Sequence, residues 1–178
     1  LDGYVFERTT DHEQRRQEDA KNIARFGSIY RCGVDWSRLQ REPFAKFDKE
    51  VVAEYCLFFD DLHSRGVGLM FVLHHFAHPN WFEQKGAWTN EDNIPFFLDF
   101  VRQCIKHFSG YVKVWNTFNE PNVYAMNAYI LGNFPPRKKG RYLLANRVLD
   151  NMGKAHDIAV TMLRDKNWPS WLPKSMSR

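Results

Sequence analysis

The stretch that decides the fold is YVKVWNTFNEPN, from Tyr111 to Asn122. Its first eight residues are rich in β-branched and aromatic side chains, which is typical of a strand. The run then ends in Asn119 and Glu120, and Pro121 stops it from continuing within a sheet. A carboxamide and a carboxylate at the end of an apolar strand favour a role in chemistry over one in packing.

Further strands and helices are predicted on both sides of this stretch. Apolar residues at helical spacing predict three helices, and a charged segment with Asp11 as its N-cap predicts a fourth. The predicted strands are SIYRCGVDWS (28–37), VGLMFVLH (67–74) and YVKVWNTF (111–118), and the predicted helices cover 11–27, 48–66, 91–110 and 141–165. Residues 119–136 are predicted to form a long connection. The alternation of helices and strands predicts a parallel sheet with right-handed crossovers.

Two α/β architectures fit this order: an open doubly wound sheet and part of a (β/α)8 barrel. No glycine-rich phosphate loop follows any strand, which disfavours the nucleotide-binding sheet. A barrel carries its active site where its strands end, and polar residues follow each predicted strand. They are Asp35 and Arg38, then His74, His75 and His78, then Asn119 and Glu120. A complete barrel needs about 250 residues. Residues 1–178 are therefore predicted to form a single partial-barrel domain with an irregular tail at 166–178.

Composition and charge disfavour several classes of partner. The 178 residues carry a formal net charge of +4, but the positive residues are scattered. The one compact basic run, Arg137 to Arg141, is interpreted as a solvated loop, so we predict no nucleic-acid partner. No stretch approaches the ~20 apolar residues of a membrane span, and no signal-peptide pattern is seen. Three widely spaced cysteines favour reduced thiols and a cytoplasmic location.

Glu120 is the strongest catalytic candidate. At the lip of an aromatic cleft its carboxyl group would be partly desolvated, which would favour the protonated form needed to donate a proton. The alternative is that Asn119 and Glu120 only cap the next helix or turn. Arg31, within a predicted strand, is either a surface residue or a barrel-interior cation that needs a carboxylate partner.

Adjacent histidines end the second predicted strand. Neighbouring strand residues face opposite sides, so at most one of His74 and His75 points inward. Together with His78 they lack a known zinc spacing, and we predict no metal site. A histidine that hydrogen-bonds a hydroxylated ligand and a structural histidine bonded to backbone both remain open at this point.

Four segments resemble, in order, those of glycoside hydrolase family 1, the β-glucosidase and β-galactosidase group. WNTFNEPNVYAMNAYILGNFPP is similar to the acid/base segment of that family. EDAKNIARFGSIYRCGVDWSRL, VLHHFAHPNWFEQKGAWTN and NRVLDNMGKAHDIAV are similar to its ED…G…YR…WSR, L-x-H-W-x-x-P…GGW-N and N…AH…A segments. The resemblance spans residues 11–165. It implies the second to fourth strands of a TIM barrel with flanking helices, and a retaining β-glycosidase acting on O-linked β-glucosides or related β-glycosides or oligosaccharides.

The resemblance also implies roles for individual residues. Glu120 matches the general acid/base, and Asn119 matches the asparagine that binds the sugar 2-hydroxyl. His75 matches a histidine that binds a sugar hydroxyl, and Arg31 matches the arginine that orients the nucleophile. No cofactor is implied. Phe76 stands where the family usually has tryptophan, which keeps an aromatic wall without an indole donor.

The nucleophile of the family lies in a Glu-Asn-Gly segment, which this chain does not contain. We therefore expect the chain to be the N-terminal part of such an enzyme, to be inactive alone, and to self-associate through exposed sheet edges. Transglycosylation, the sugar preference and any 6-phosphate requirement are left open. The alternative is a non-catalytic carbohydrate-binding or interaction protein derived from a barrel fragment, in which Trp81, Trp88 and Tyr124 stack on sugar rings.

Overall fold

Three parallel strands form a sheet in the order β1–β2–β3, as the sequence predicts. The computed structural model describes residues 11–165, so the predicted tail at 166–178 lies outside the described residues. The strands are β1 (Ile29–Gly33), β2 (Gly68–His74) and β3 (Val112–Phe118). Each pair is joined by a helical crossover, which is the repeating unit of a β/α barrel.

Seven α-helices surround the sheet in the described residues. They are α1 (His12–Phe26), α2 (Trp36–Leu39), α3 (Lys49–Ser64), α4 (Asn80–Gln84), α5 (Ile94–Phe108), α6 (Pro121–Ala125) and α7 (Tyr142–Asp165). Short 3-10 turns lie at Ala87–Thr89 and Glu91–Asn93, and a π-helix covers Met126–Leu131. The predicted connection at 119–136 is therefore helical over more than half its length, because its apolar residues have a core to pack against.

An aspartate stands at the N-cap position of three helices, and in two of them its side chain caps the helix. Asp48 accepts hydrogen bonds from the backbone N–H groups of Glu50 and Val51 and so caps α3. Asp35 caps α2 in the same way. Asp11 occupies the N-cap position of α1, as predicted, but adopts a left-handed backbone and its side chain makes no capping bond.

The two faces of the sheet differ in their cover. One face, here called the covered face, packs on α3 and α5: Phe71 contacts the rings of Phe59 and Phe108 at 6.2 and 5.8 Å, and Trp115 at 5.1 Å. On the other, open face, register places Arg31, Met70 and Val114 in one row across the three strands. Val114 is 42% exposed. Alternation therefore separates a packed layer from a face that the described residues leave uncovered.

An aromatic cluster closes the covered side around Trp88. Its indole ring is fully buried and lies 5.2 Å from the rings of Phe82, Phe97 and Phe118. Burying one such side chain stabilises the fold by roughly 1.5–3 kcal/mol. The high aromatic content of the chain therefore goes mainly into the core.

Buried polar groups tie α2 to α5. The fully buried carboxylate of Asp99 accepts hydrogen bonds from Gln40, Arg102 and Gln103 at 2.6–2.9 Å. A buried charge is tolerated only when it is paired and hydrogen-bonded in this way. This network fixes the loop after β1 against the helix that precedes β3.

The last helix, α7, packs through residues spaced three and four apart. Its buried apolar residues are Ala145, Val148, Met152, Ala155, Ala159 and Met162. Within residues 11–165, no helix combines the length and the apolar character that crossing a bilayer requires. Cys32, Cys56 and Cys104 are all free thiols.

Candidate active site

The carboxyl ends of the strands bring the predicted site residues together. Asn119 follows β3 directly, and its backbone N–H donates to the carbonyl oxygen of His74 at 2.9 Å, which extends the β2–β3 pairing by one residue. The side chain of Asn119 is 7% exposed. The side chain is thus fixed at the carboxyl end of the strands, where the active site of a barrel enzyme lies.

Arg31 reaches across the middle strand to Asn119. Its Nη2 donates to Asn119 Oδ1 at 2.5 Å, although β2 lies between β1 and β3. Two strand spacings amount to about 10 Å, which a long guanidinium side chain can span. Arg31 is exposed, and its partner here is an amide and not the carboxylate that the interior alternative requires.

Glu120 sits in an unusual backbone conformation. Its φ and ψ are 41° and 61°, in the left-handed region, and Pro121 begins α6 immediately after it. Its Oε2 accepts a long bond of 3.5 Å from Asn119 Nδ2. Glu120 occupies the N-cap position of α6, as the capping alternative has it, but its side chain makes no capping bond there. The expected desolvation is also absent: Glu120 is exposed, because nothing in the described residues covers the open face.

The two adjacent histidines lie in different surroundings: His74, the last residue of β2, is buried, and His75, which follows it, is exposed. His75 lies on the open side beside Arg31 and Glu120. Partial desolvation, and then the charge of Arg31, lower the pKa of His75, while the Glu120 carboxylate opposes that shift. His75 therefore has a neutral imidazole near pH 7, with one donor and one acceptor available.

His74 is buried in the core and belongs to a polar row that the sequence prediction missed. Its Nε2 accepts from Trp88 Nε1 at 3.2 Å and lies 3.4 Å from His78 Nδ1. His78 Nε2 in turn lies 2.8 Å from Glu83 Oε2. Burial, and then His78 and His75, hold the pKa of His74 well below its ordinary value. His74, His78 and Glu83 lie close together along the chain. No pattern in the sequence, however, shows that they form a hydrogen-bonded row.

Aromatic side chains near the site fall into two groups. The sugar-binding alternative has Trp81, Trp88 and Tyr124 stack on sugar rings, but Trp88 and Tyr124 are 0% and 1% exposed and cannot do so, whereas Trp81 is partly exposed. Phe76 instead lines the open side, with its ring 5.2 Å from His75 and 5.4 Å from Phe134. The sequence prediction missed Phe134, whose place opposite Phe76 depends on how the chain folds back after the π-helix.

No group of three or more His, Cys, Asp or Glu side chains in residues 11–165 is arranged to hold a metal ion. The site chemistry available from these residues is that of a carboxyl acid/base beside donors for hydroxyl groups. Arg31, Asn119, Glu120 and His75 lie together on the open face, as the sequence predicts.

Comparison with known proteins places this geometry in a family. The family model described as Glycosyl hydrolase family 1 matches residues 1–174. The 6-phospho-beta-galactosidase of Staphylococcus epidermidis is 31% identical over 93% of this chain and 35% of its own length. Beta-glucosidase A of Thermotoga maritima is 29% identical over 87% of this chain and 35% of its own length. The chain thus spans about a third of the length of these curated relatives.

Solved structures agree with the sequence matches. A beta-glycosidase from Pyrococcus horikoshii superposes with a TM-score of 0.81 at 32% identity, over 88% of this chain and 36% of that one. The GH1 beta-glucosidase from Exiguobacterium antarcticum gives a TM-score of 0.83 at 32% identity, over 93% and 38%. These neighbours are TIM-barrel enzymes, so the three-stranded sheet is part of such a barrel.

Proposed function

The chain belongs to glycosyl hydrolase family 1, and we propose on that premise that it supplies the acid/base half of a retaining β-glycosidase. The observation that carries this proposal is the group of Arg31, His75, Asn119 and Glu120 at the carboxyl ends of three parallel strands. An exposed carboxylate beside a fixed amide is the arrangement that proton transfer to a bound glycoside requires.

Retention of configuration needs two carboxyl groups about 5–5.5 Å apart. Glu120 donates a proton to the oxygen of the departing group and later takes a proton from the water that attacks the glycosyl-enzyme. The second carboxylate is the nucleophile. The chain contains no Glu-Asn-Gly segment, so the proposed nucleophile comes from outside residues 1–178.

Hydrogen bonding defines what each neighbour offers to a sugar. Asn119 Oδ1 is occupied by Arg31, so its Nδ2 is the group left to donate to a sugar oxygen. Arg31 thus positions the amide in one of its two orientations. His75, neutral because its pKa is lowered, both donates to and accepts from hydroxyl groups.

The substrate class follows from the relatives, whose names are those of β-glucosidases and 6-phospho-β-galactosidases. We propose β-glucosides or related β-glycosides, acted on in a reducing, cytoplasmic setting that suits three free thiols. A purely sugar-binding role is less favoured, because Trp88 and Tyr124 are buried and cannot serve as stacking platforms.

The test compares the chain alone with a completed barrel. In the completed barrel, residues 11–165 replace the matching segment of Thermotoga maritima beta-glucosidase A, and both proteins are assayed on 4-nitrophenyl β-glucoside. We expect no hydrolysis by the chain alone and hydrolysis by a folded chimera. An active, monomeric 178-residue chain, with folding and size verified by circular dichroism and size-exclusion chromatography, would refute the half-site proposal.

A further inference from the structure

The segment from Pro121 to Leu149 contains no Asp or Glu, yet carries five cations. These cations are Arg137, Lys138, Lys139, Arg141 and Arg147, here called the basic run, and with Tyr142 they line an open groove. All five are exposed, and none has a carboxylate partner among residues 11–165. Elsewhere in the described residues some exposed cations are paired, as Lys154 is with Glu91 at 2.6 Å, whereas others such as Lys21, Lys49 and Lys106 are scattered singly over the surface.

The backbone of the basic run is fixed against the π-helix. The N–H groups of Lys138, Gly140 and Arg141 donate to the carbonyl oxygens of Ala128, Ile130 and Tyr129 at 2.8–2.9 Å. The segment is exposed, as predicted for a solvated loop, and its backbone is held by hydrogen bonds to the π-helix. Like charges held side by side repel one another, and an anion bound between them would relieve that repulsion.

The basic run is continuous with the proposed sugar site. Arg137 N–H donates to the carbonyl oxygen of Phe134 at 2.7 Å, and the ring of Phe134 lies 5.4 Å from Phe76. Phe76 contacts His75. The Phe76–Phe134 pair thus connects the start of the basic run to His75 of the proposed sugar site.

We infer that the basic run binds an anionic group on the leaving-group portion of the glycoside, a carboxylate, sulfate or phosphate. This inference rests on the proposed function and adds a substrate class to it. Nucleic acid or an anionic membrane would use the same cations but has no need of the adjoining sugar site, so an anionic glycoside fits the observations better.

The experiment uses the immobilised 178-residue chain and two glycosides of nearly equal shape, 4-carboxyphenyl β-glucoside and 4-carbamoylphenyl β-glucoside, with binding followed by surface plasmon resonance. Binding of the amide reports the sugar site, and the ratio of the two affinities reports the basic run. With each exposed charge contact giving a factor of about two, three contacts make the carboxylate bind roughly eightfold tighter at low salt. That preference shrinks as salt screens the charges.

The test variant replaces Lys138, Lys139 and Arg141 with Gln, and the matched control replaces the exposed Lys21, Lys49 and Lys106 with Gln. Loss of the preference in the test variant alone, with amide binding kept, supports the inference. Three results would overturn the inference: equal affinities of the unmodified chain for the two glycosides, equal loss of the preference in both variants, or tighter binding of a DNA duplex or anionic vesicles than of the carboxylate. None of these results bears on the proposed function. Binding of neither glycoside would overturn this inference, whereas the proposed function is tested separately by hydrolysis in the completed barrel.

Discussion

On the covered face of the sheet, rings contact rings: Phe71 meets Phe59 and Phe108, and nothing polar is needed. On the open face, Arg31 crosses a whole strand to reach an amide. The first arrangement lowers the free energy of the folded chain through burial, whereas the second fixes the buried amide of Asn119 with a guanidinium group that stays exposed. The covered face thus holds residues that stabilise the fold, and the open face holds residues proposed to bind a ligand. We expect substitutions on the covered face to change the free energy of unfolding and those in the proposed site to change turnover.

The largest effect is expected from Glu120→Gln in the chimera. Loss of proton donation lowers turnover of substrates with poor leaving groups by about 10²–10⁴-fold. An activated aryl glycoside needs less protonation, so its glycosyl-enzyme forms with a smaller loss, and azide partly restores turnover. The matched control is Glu91→Gln, which removes an exposed carboxylate paired with Lys154. Equal loss on good and poor leaving groups, without azide rescue, would contradict the assignment.

The opposite pattern is expected for Trp88→Ala on the covered side. Removing this fully buried ring lowers the free energy of unfolding by about 3–5 kcal/mol. Val114→Ala on the open face, where the side chain is 42% exposed, changes it by less than about 0.5 kcal/mol. Urea unfolding of the chimera variants measures both values, and similar losses would mean that the two faces do not differ as described.

Acid is expected to act on the covered side through His74. Its folded-state pKa lies well below the ordinary value of 6.5, so the unfolded chain binds the proton more readily. This contribution to stability is fully present above about pH 6.5 and is lost as the pH falls, by up to about 1.4 kcal/mol per pH unit. Urea unfolding between pH 7.5 and 5 in about half-unit steps measures the slope.

The control for this prediction keeps the histidine count equal. His74→Gln retains an acceptor for the Trp88 N–H and cannot titrate, so its stability depends less on pH. Replacing the exposed His63 with Gln leaves the slope as it was. A His74→Gln slope equal to that of the unmodified chimera would show that other groups dominate acid sensitivity.

The smallest effect is expected from Asn119→Ala. Losing a neutral hydrogen bond to a sugar hydroxyl lowers kcat/KM by about tenfold, and a contact that strengthens in the transition state lowers kcat more than it raises KM. The exposed neighbour Asn122, replaced in the same way, serves as control. A rise in KM alone would indicate that Asn119 binds substrate and transition state equally.

The sequence predicts the covered face well, because periodicity reports burial directly. Spacing alone predicts one helix face made of Phe97, Phe100, Val101, Cys104, Ile105 and Phe108; five of these are buried and Ile105 is partly buried. The placement of Glu120, Asn119 and His75 also follows, since the carboxyl ends of parallel strands meet at one edge.

What the sequence did not predict depends on contacts between distant segments. The Arg31–Asn119 bond joins residues 88 positions apart, and a lone arginine in a strand carries no sign of its partner. Trp88 and Tyr124 carry the same residue types as sugar-stacking platforms, so only tertiary packing distinguishes core from surface. The helical fold of residues 121–131 was missed because proline and glycine near it indicate a turn more strongly than its apolar residues indicate a helix.

The backbone of Glu120 links catalysis to the cost of folding. A φ of 41° in a residue other than glycine, directly before Pro121, costs about 1–3 kcal/mol. Glycine at this position would relieve that cost, so Glu120→Gly is the substitution by which the chain would become more stable and lose its acid at the same time. Selection for stability alone would therefore act against Glu120, the residue proposed as the acid/base.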